Sequence, residues 1–119
     1  MIEIIAGARV LFVPAEGPPL DTSTAGDLLG EAWGSDAQWV AVPVQRLADG
    51  FLDLSTRVAG EVLQKFTNYR VRLAFIGDIS DRVNASPSLR DFVHESNKGR
   101  QVWFLVDRAE LLARLSGNG

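Results

Sequence analysis

The sequence predicts an α/β domain built on one mixed, mostly parallel sheet flanked by helices, in the order β-β-α-β-α-β-α-β-α. Three observations predict it. Short continuous apolar runs recur along the chain, stretches with one apolar stripe at helical spacing lie between them, and helix-start and turn residues stand at the junctions. Strands that alternate with helices pair in parallel through right-handed crossovers, so the helices cover the sheet.

Ile2 to Ile5 and the run Val10-Leu11-Phe12-Val13 form an opening hairpin turned at Gly7, and Pro14 begins the loop Ala15-Glu16-Gly17-Pro18-Pro19. From Thr22 to Trp33 the residues Ala25, Leu28, Leu29, Ala32 and Trp33 share one helical face, and Gly34 ends the first helix. Trp39-Val40-Ala41-Val42 is a buried strand stopped by Pro43, which cannot donate to a ladder. Val44 to Leu54 carries no clear period. Ser55-Thr56 is read as the start of a second helix, whose Val58, Ala59, Val62, Leu63 and Phe66 form one stripe while Glu61 and Lys65 make an i, i+4 pair. Val71 to Ile76 is the next strand, turned at Gly77-Asp78. Ser86 followed by Pro87 starts a third helix, and Gly99 is assigned the left-handed position past its end. Val102 to Val106 is the last strand, and Asp107 with Glu110 makes an acidic capping-box variant ahead of Leu111, Leu112 and Leu115. Trp33, Trp39 and Trp103 read as core or half-buried aromatics. With no repeat or linker, the 119 residues read as a single domain.

Composition removes several kinds of chemistry. The net charge of -3 gives no broad attraction to nucleic acid or anionic lipid, so neither nucleic acid nor membrane is an expected partner. Without cysteine there is no disulfide, thiolate nucleophile or cysteine zinc site, and His94 alone is too little for a transition metal, so no metal and no cofactor are expected. Gly7, Gly77 and Gly99 are turns and lack the spacing of a phosphate loop. The start Met1-Ile2-Glu3 has neither the basic region nor the apolar run of a signal peptide, which points to a cytoplasmic protein. A hydrolase triad drawn from Ser55, Asp78, His94 and Glu95 fails on topology. Ser55 and Asp78 follow the carboxyl ends of strands, whereas His94 lies two turns into a returning helix, a rise of ~10 Å. No catalytic residue is assigned, and the chain is expected not to be an enzyme.

Two blocks carry a family resemblance. The run from Phe51 to Asp78, with Ala59-Gly60-Glu61-Val62-Leu63-Gln64-Lys65-Phe66 at its centre, and the later block Ser88-Leu89-Arg90-Asp91-Phe92-Val93-His94-Glu95-Ser96-Asn97-Lys98-Gly99 resemble a bacterial family, domain of unknown function 4180. The element order, the cap at Ser55 and the closing Arg108-Ala109-Glu110-Leu111-Leu112 also resemble the STAS domains of anti-sigma factor antagonists. Those domains carry a phosphorylatable serine at the start of the second helix, preceded by aspartate and followed by glycine. Here Ser55 follows Leu54, and Thr56 precedes Arg57.

Two edges are the candidate sites. Ser55 and Thr56 are either phosphoacceptors, as the STAS resemblance implies, or helix caps. With them at the carboxyl ends of the strands stand Asp53, Asp78, Ser80 and Asp107, the edge where open α/β sheets bind ligands. At the opposite edge Gln64, Lys65, Asn68 and Tyr69 are expected near His94, Glu95 and Asn97, a polar set suited to a partner. The leading expectation is a small STAS-like regulatory or interaction module with a protein partner. A small-ligand-binding domain and a cofactor-free enzyme are the alternatives, and exposed sheet edges together with Trp33 suggest a homodimer.

Overall fold

The computed structural model describes residues 1–117, which fold around a five-stranded sheet. Strands β1 (Ile2–Ile5), β2 (Ala8–Phe12), β3 (Trp39–Pro43), β4 (Arg72–Ile76) and β5 (Val102–Leu105) lie side by side in chain order. Ala6 and Gly7, with φ of 50° and 84°, turn β1 back onto β2 as an antiparallel hairpin. The remaining neighbours are parallel, with Val40 between Leu11 and Leu73 and Phe75 between Val42 and Phe104.

The helices are α1 (Ala25–Gly34), α2 (Val58–Asn68), α3 (Ser80–Ala85), α4 (Pro87–Lys98) and α5 (Arg108–Leu115). Because the strand order never reverses, right-handed crossovers bring α1, α2 and α4 to the same face. There Leu11, Val40, Val42, Leu73, Phe75 and Phe104 of the sheet meet Ala25, Leu29, Val62 and Phe66 of the helices. Strand side chains alternate, so the intervening residues build a second, smaller core on the other face, where Val10, Trp39, Ala41, Ala74, Trp103 and Leu105 meet Leu111 of α5. Ala41 and Ala74 leave room for Trp39 and Trp103, whose ring centroids stand 4.3 Å apart. Both indoles are only 1% exposed. Arg114 lies 4.5 Å and Arg100 5.3 Å from the Trp103 centroid, and the Trp103 indole N–H donates to the Gly99 carbonyl at 2.8 Å.

The caps at Ser86 and Asp107 form as the sequence predicts: the Ser86 hydroxyl accepts from Leu89 N–H at 3.2 Å and Asp107 accepts from Glu110 N–H at 2.9 Å. Three expectations are corrected. Helix α2 begins at Val58 and not at Ser55, because Ser55 and Thr56 belong to a 3-10 turn (Leu54–Thr56) and Arg57 then takes a left-handed φ of 66°. Gly99 is extended (φ -93°, ψ -161°), since the chain runs straight into β5; left-handed residues instead follow α1 at Asp36, α2 at Arg70 and α5 at Gly117. Trp33 is 61% exposed and so lies outside the core. The structure adds α3, and it resolves the aperiodic segment into a 3-10 turn (Val44–Arg46) and a buried Phe51, whose ring stands 5.5 Å from Phe75. Among the described residues no helix is long and apolar enough to cross a membrane.

Candidate functional site

The carboxyl-edge residues fall where the topology puts them, in the connections after β3, β4 and β5, and each is engaged in its own turn. The Asp53 carboxylate accepts from the Ser55 hydroxyl at 2.7 Å and the Ser55 N–H at 3.1 Å. Those bonds favour the charged form and hold Asp53 below the usual carboxylate range, the hydroxyl having the larger effect. Thr56 donates its hydroxyl to the carbonyls of Gly50 and Asp53, both at 2.8 Å. Asp78 accepts from Ser80 N–H at 2.9 Å, which lowers its pKa in the same way, and Asp107 is the cap of α5. Turn and cap duties thus account for the polar atoms of Asp53, Thr56, Asp78 and Asp107. Ser55, exposed like Thr56 and Ser80, donates its hydroxyl to a single carboxylate, that of Asp53.

The opposite set divides into four places. Gln64, Lys65 and Asn68 lie along α2 and line an open groove of about 770 Å³ between α2 and α4. Gln64 donates to Asn68 across one helical turn at 2.9 Å. Tyr69 stands apart, packed edge-on to Trp33 at 6.2 Å, with its carbonyl accepting the Trp33 indole N–H at 3.2 Å. Asn97 turns inward to the sheet, accepting from Phe104 N–H at 2.7 Å and donating to Phe104 O at 3.1 Å. His94 and Glu95 are exposed on α4, and Glu95 pairs with Lys98 at 3.1 Å; neither lines the groove.

Sequence reasoning missed the rest of the groove. Its floor and rim are Leu54, Arg57, Gly60, Glu61 and Phe92. Gly60 matters because a Cβ there meets nothing within 4 Å, so the space above this turn of α2 is open. The signal available was a glycine inside a helical stripe, which costs roughly 1 kcal/mol against alanine and calls for a reason. A second cleft, of about 190 Å³, opens at the carboxyl ends of β2 and β3 between Val13, Leu20, Thr24, Asp27, Val42 and Arg46. Arg46 closes its rim by donating to the carbonyls of Pro14, Glu16 and Pro18. Gly17 packs on that guanidinium, where a Cβ would fall at 2.9 Å. Among the described residues no group of three or more histidine, cysteine, aspartate or glutamate side chains is placed to hold a metal ion.

No curated protein and no solved structure matches the chain. A family model does, the one described as Domain of unknown function (DUF4180), over residues 5–115. That span takes in the carboxyl-edge turns, the α2–α4 groove and all four crossover and closing segments, and the chain belongs to this family.

Proposed function

We propose that this domain is a small cytoplasmic regulatory module that works by docking a protein partner in the α2–α4 groove. The observation that supports it is the shape and lining of that groove. Small-molecule sites enclose most of their ligand, whereas this trough of about 770 Å³ lies open along the helices. Leu54 and Phe92 offer apolar contact, Gly60 leaves room for a side chain from outside, and Arg57, Glu61 and Lys65 set alternating charges along one edge. Such a surface suits the apolar face of a helix with charged flanks. The reading assigns no catalytic step.

Regulation acts through Ser55 in this proposal. A phosphate there lies beside the Asp53 carboxylate and three residues ahead of α2, so repulsion opens the 3-10 turn that places Leu54 and Arg57 on the groove. Self-association by the outer edge of β1 belongs to the same reading. Met1 and Phe12 exchange backbone hydrogen bonds, so by alternation Ile2 and Ile4 direct their N–H and C=O groups outward, and the Ile4 side chain is 66% exposed.

The test is co-purification from the native host followed by native mass spectrometry of the wild type, Gly60→Arg and Ser55→Glu. Arginine at position 60 fills the groove while raising helix propensity, so lost binding is not lost folding. A partner retained by the wild type and shed by both variants supports the proposal; a partner retained by Gly60→Arg refutes it. A small molecule retained in place of a protein favours the second reading, a ligand site at the cleft formed by Val13, Thr24, Asp27 and Arg46.

A further inference from the structure

The amino ends of the strands carry a cluster that the α2–α4 groove does not use. The turn from α2 into β4 ends the helix in a Schellman pattern, with Val71 N–H bonded to Phe66 O at 3.0 Å and Arg70 in the left-handed position at φ 61°. Glycine is the residue that suits this backbone. A cation anywhere in the last turn satisfies the helix dipole, so the dipole does not explain a side chain placed at the one position that disfavours it. Strain of this kind is informative when the side chain it retains faces a site.

Arg70 faces two adjoining clefts. One, of about 380 Å³, is walled by Gln38, Thr67, Arg70, Arg72 and Gln101. The other, of about 230 Å³, lies between Trp33, Asp36, Tyr69 and Arg70. In the first, Arg72 is held 5.9 Å from the buried Trp39 ring, and Gln101 is fixed by its bond to Val71 O at 2.8 Å. Gln38 accepts from Arg9 N–H through its amide oxygen at 3.0 Å, which leaves its NH2 group to donate. Among the described residues the guanidinium groups of Arg70 and Arg72 form no hydrogen bond or ion pair, as is also true of Arg57, Arg82 and Arg100, whereas Arg9 donates to Ser35 O and Arg114 to Asn97 O; what sets Arg70 and Arg72 apart is that they wall one cleft together. Two free planar forks with a nearby amide donor match the several oxygens and double charge of a phosphate group. In the second cleft the exposed Trp33 indole offers a flat apolar face, Tyr69 stands edge-on to it at 87°, and the Asp36 carboxylate lies beside them to accept from an N–H or O–H.

From this juxtaposition we infer that the amino edge binds a small ligand that joins a phosphate group to a planar ring, the chemistry of a nucleotide. The phosphate sits on Arg70 and Arg72, and the ring lies against Trp33. The site is separate from the α2–α4 groove, so it stands or falls independently of the partner proposed there.

The probes are ADP, adenosine and inorganic pyrophosphate, titrated into the full chain and followed by tryptophan fluorescence and amide chemical shifts. ADP is expected to saturate with a Kd below about 1 mM, with adenosine and pyrophosphate each at least about tenfold weaker. Arg70→Gly removes the fork and relieves the left-handed strain, so its melting temperature stays level or rises while ADP affinity falls at least about tenfold. Trp33→Leu weakens ADP and leaves pyrophosphate unchanged. Failure of ADP to saturate, ADP affinity unaltered in the stable Arg70→Gly variant, or pyrophosphate binding as tightly as ADP overturns the inference.

Discussion

Asn97 was a candidate partner contact by sequence, and the structure makes it a latch for an edge strand; replacing it by alanine tests which. Its amide makes two bonds with Phe104, at 2.7 and 3.1 Å, within β5, the strand that ends the sheet among the described residues. A typical hydrogen bond contributes about 1 kcal/mol net, and leaving both Phe104 groups unpaired in a part-buried place adds to that, so Asn97→Ala is expected to cost about 2–3 kcal/mol. With an unfolding entropy of about 2.1 cal/mol/K per residue, 2 kcal/mol lowers the Tm of a chain this size by about 8 °C. Asn97→Asp supplies the sign. It keeps an acceptor for Phe104 N–H but turns a carboxylate oxygen toward Phe104 O, so at neutral pH it loses at least as much. Urea denaturation and calorimetry measure both, and hydrogen exchange at the Phe104 amide should quicken in the alanine variant. Variants within about 0.5 kcal/mol of the wild type, with Phe104 still protected, refute the latch and return Asn97 to the surface.

Gly77→Ala forces a Cβ to 2.3 Å from Val44 Cγ2 at a φ of 145°, and a loss of about 2–3 kcal/mol in urea denaturation is expected; a neutral result contradicts the close approach. Trp103→Ala empties the centre of the second core, between the Trp39 ring and the Arg114 guanidinium, and should cost about 4 kcal/mol by calorimetry. Asp21, Asp53 and Asp78 all have pKa values lowered in the fold, chiefly by the Ser23 hydroxyl, the Ser55 hydroxyl and the Ser80 N–H respectively. A lowered folded value means that these turns add stability above the ordinary aspartate pKa and lose it as pH falls through the folded values. Carboxyl NMR titration should therefore give midpoints below those of the same residues in unfolded peptides, and equal midpoints count against the turns.

How much was legible depends on whether local pattern or distant packing decides each element. Ser86-Pro87 and Asp107 with Glu110 start helices where they were read, because a cap is a local bond between residues three apart. Four strands were legible from their apolar runs and the first, Ile2 to Ile5, as the hairpin partner before Gly7, while strand–helix alternation gave the parallel pairing of β2 through β5. The start of α2 was misread because Ser55-Thr56 looks like a cap, whereas Asp53 and Gly50 claim both hydroxyls for the preceding turn and Arg57 breaks the helix. Phe51 sat in an aperiodic stretch, and only its packing against Phe75 in the core on the same face of the sheet gives it a place. Gly99 and Trp33 failed for a related reason. A glycine after a helix can end it in more than one way, and an apolar stripe does not reveal where neighbouring helices stop covering it.

The candidate site was legible as a list of residues but not as a shape. Spacing alone put Gln64, Lys65 and Asn68 on one stretch of α2, and that is where the groove runs. At about 100° per residue Glu95 stands about 160° round α4 from Asn97, but His94 is only about 60° from it, so spacing leaves those two on neighbouring rows and only the edge of the sheet beside Asn97 tells them apart. Asn97 meets β5, His94 and Glu95 meet solvent, and Phe92, two residues earlier than His94, lines the groove. The same limit explains Gly60 and Arg70. Each is a local misfit, a glycine where the helix prefers alanine and an arginine where the turn prefers glycine. Local rules register such a misfit as a cost, and only the clefts beside Gly60 and Arg70 supply its reason.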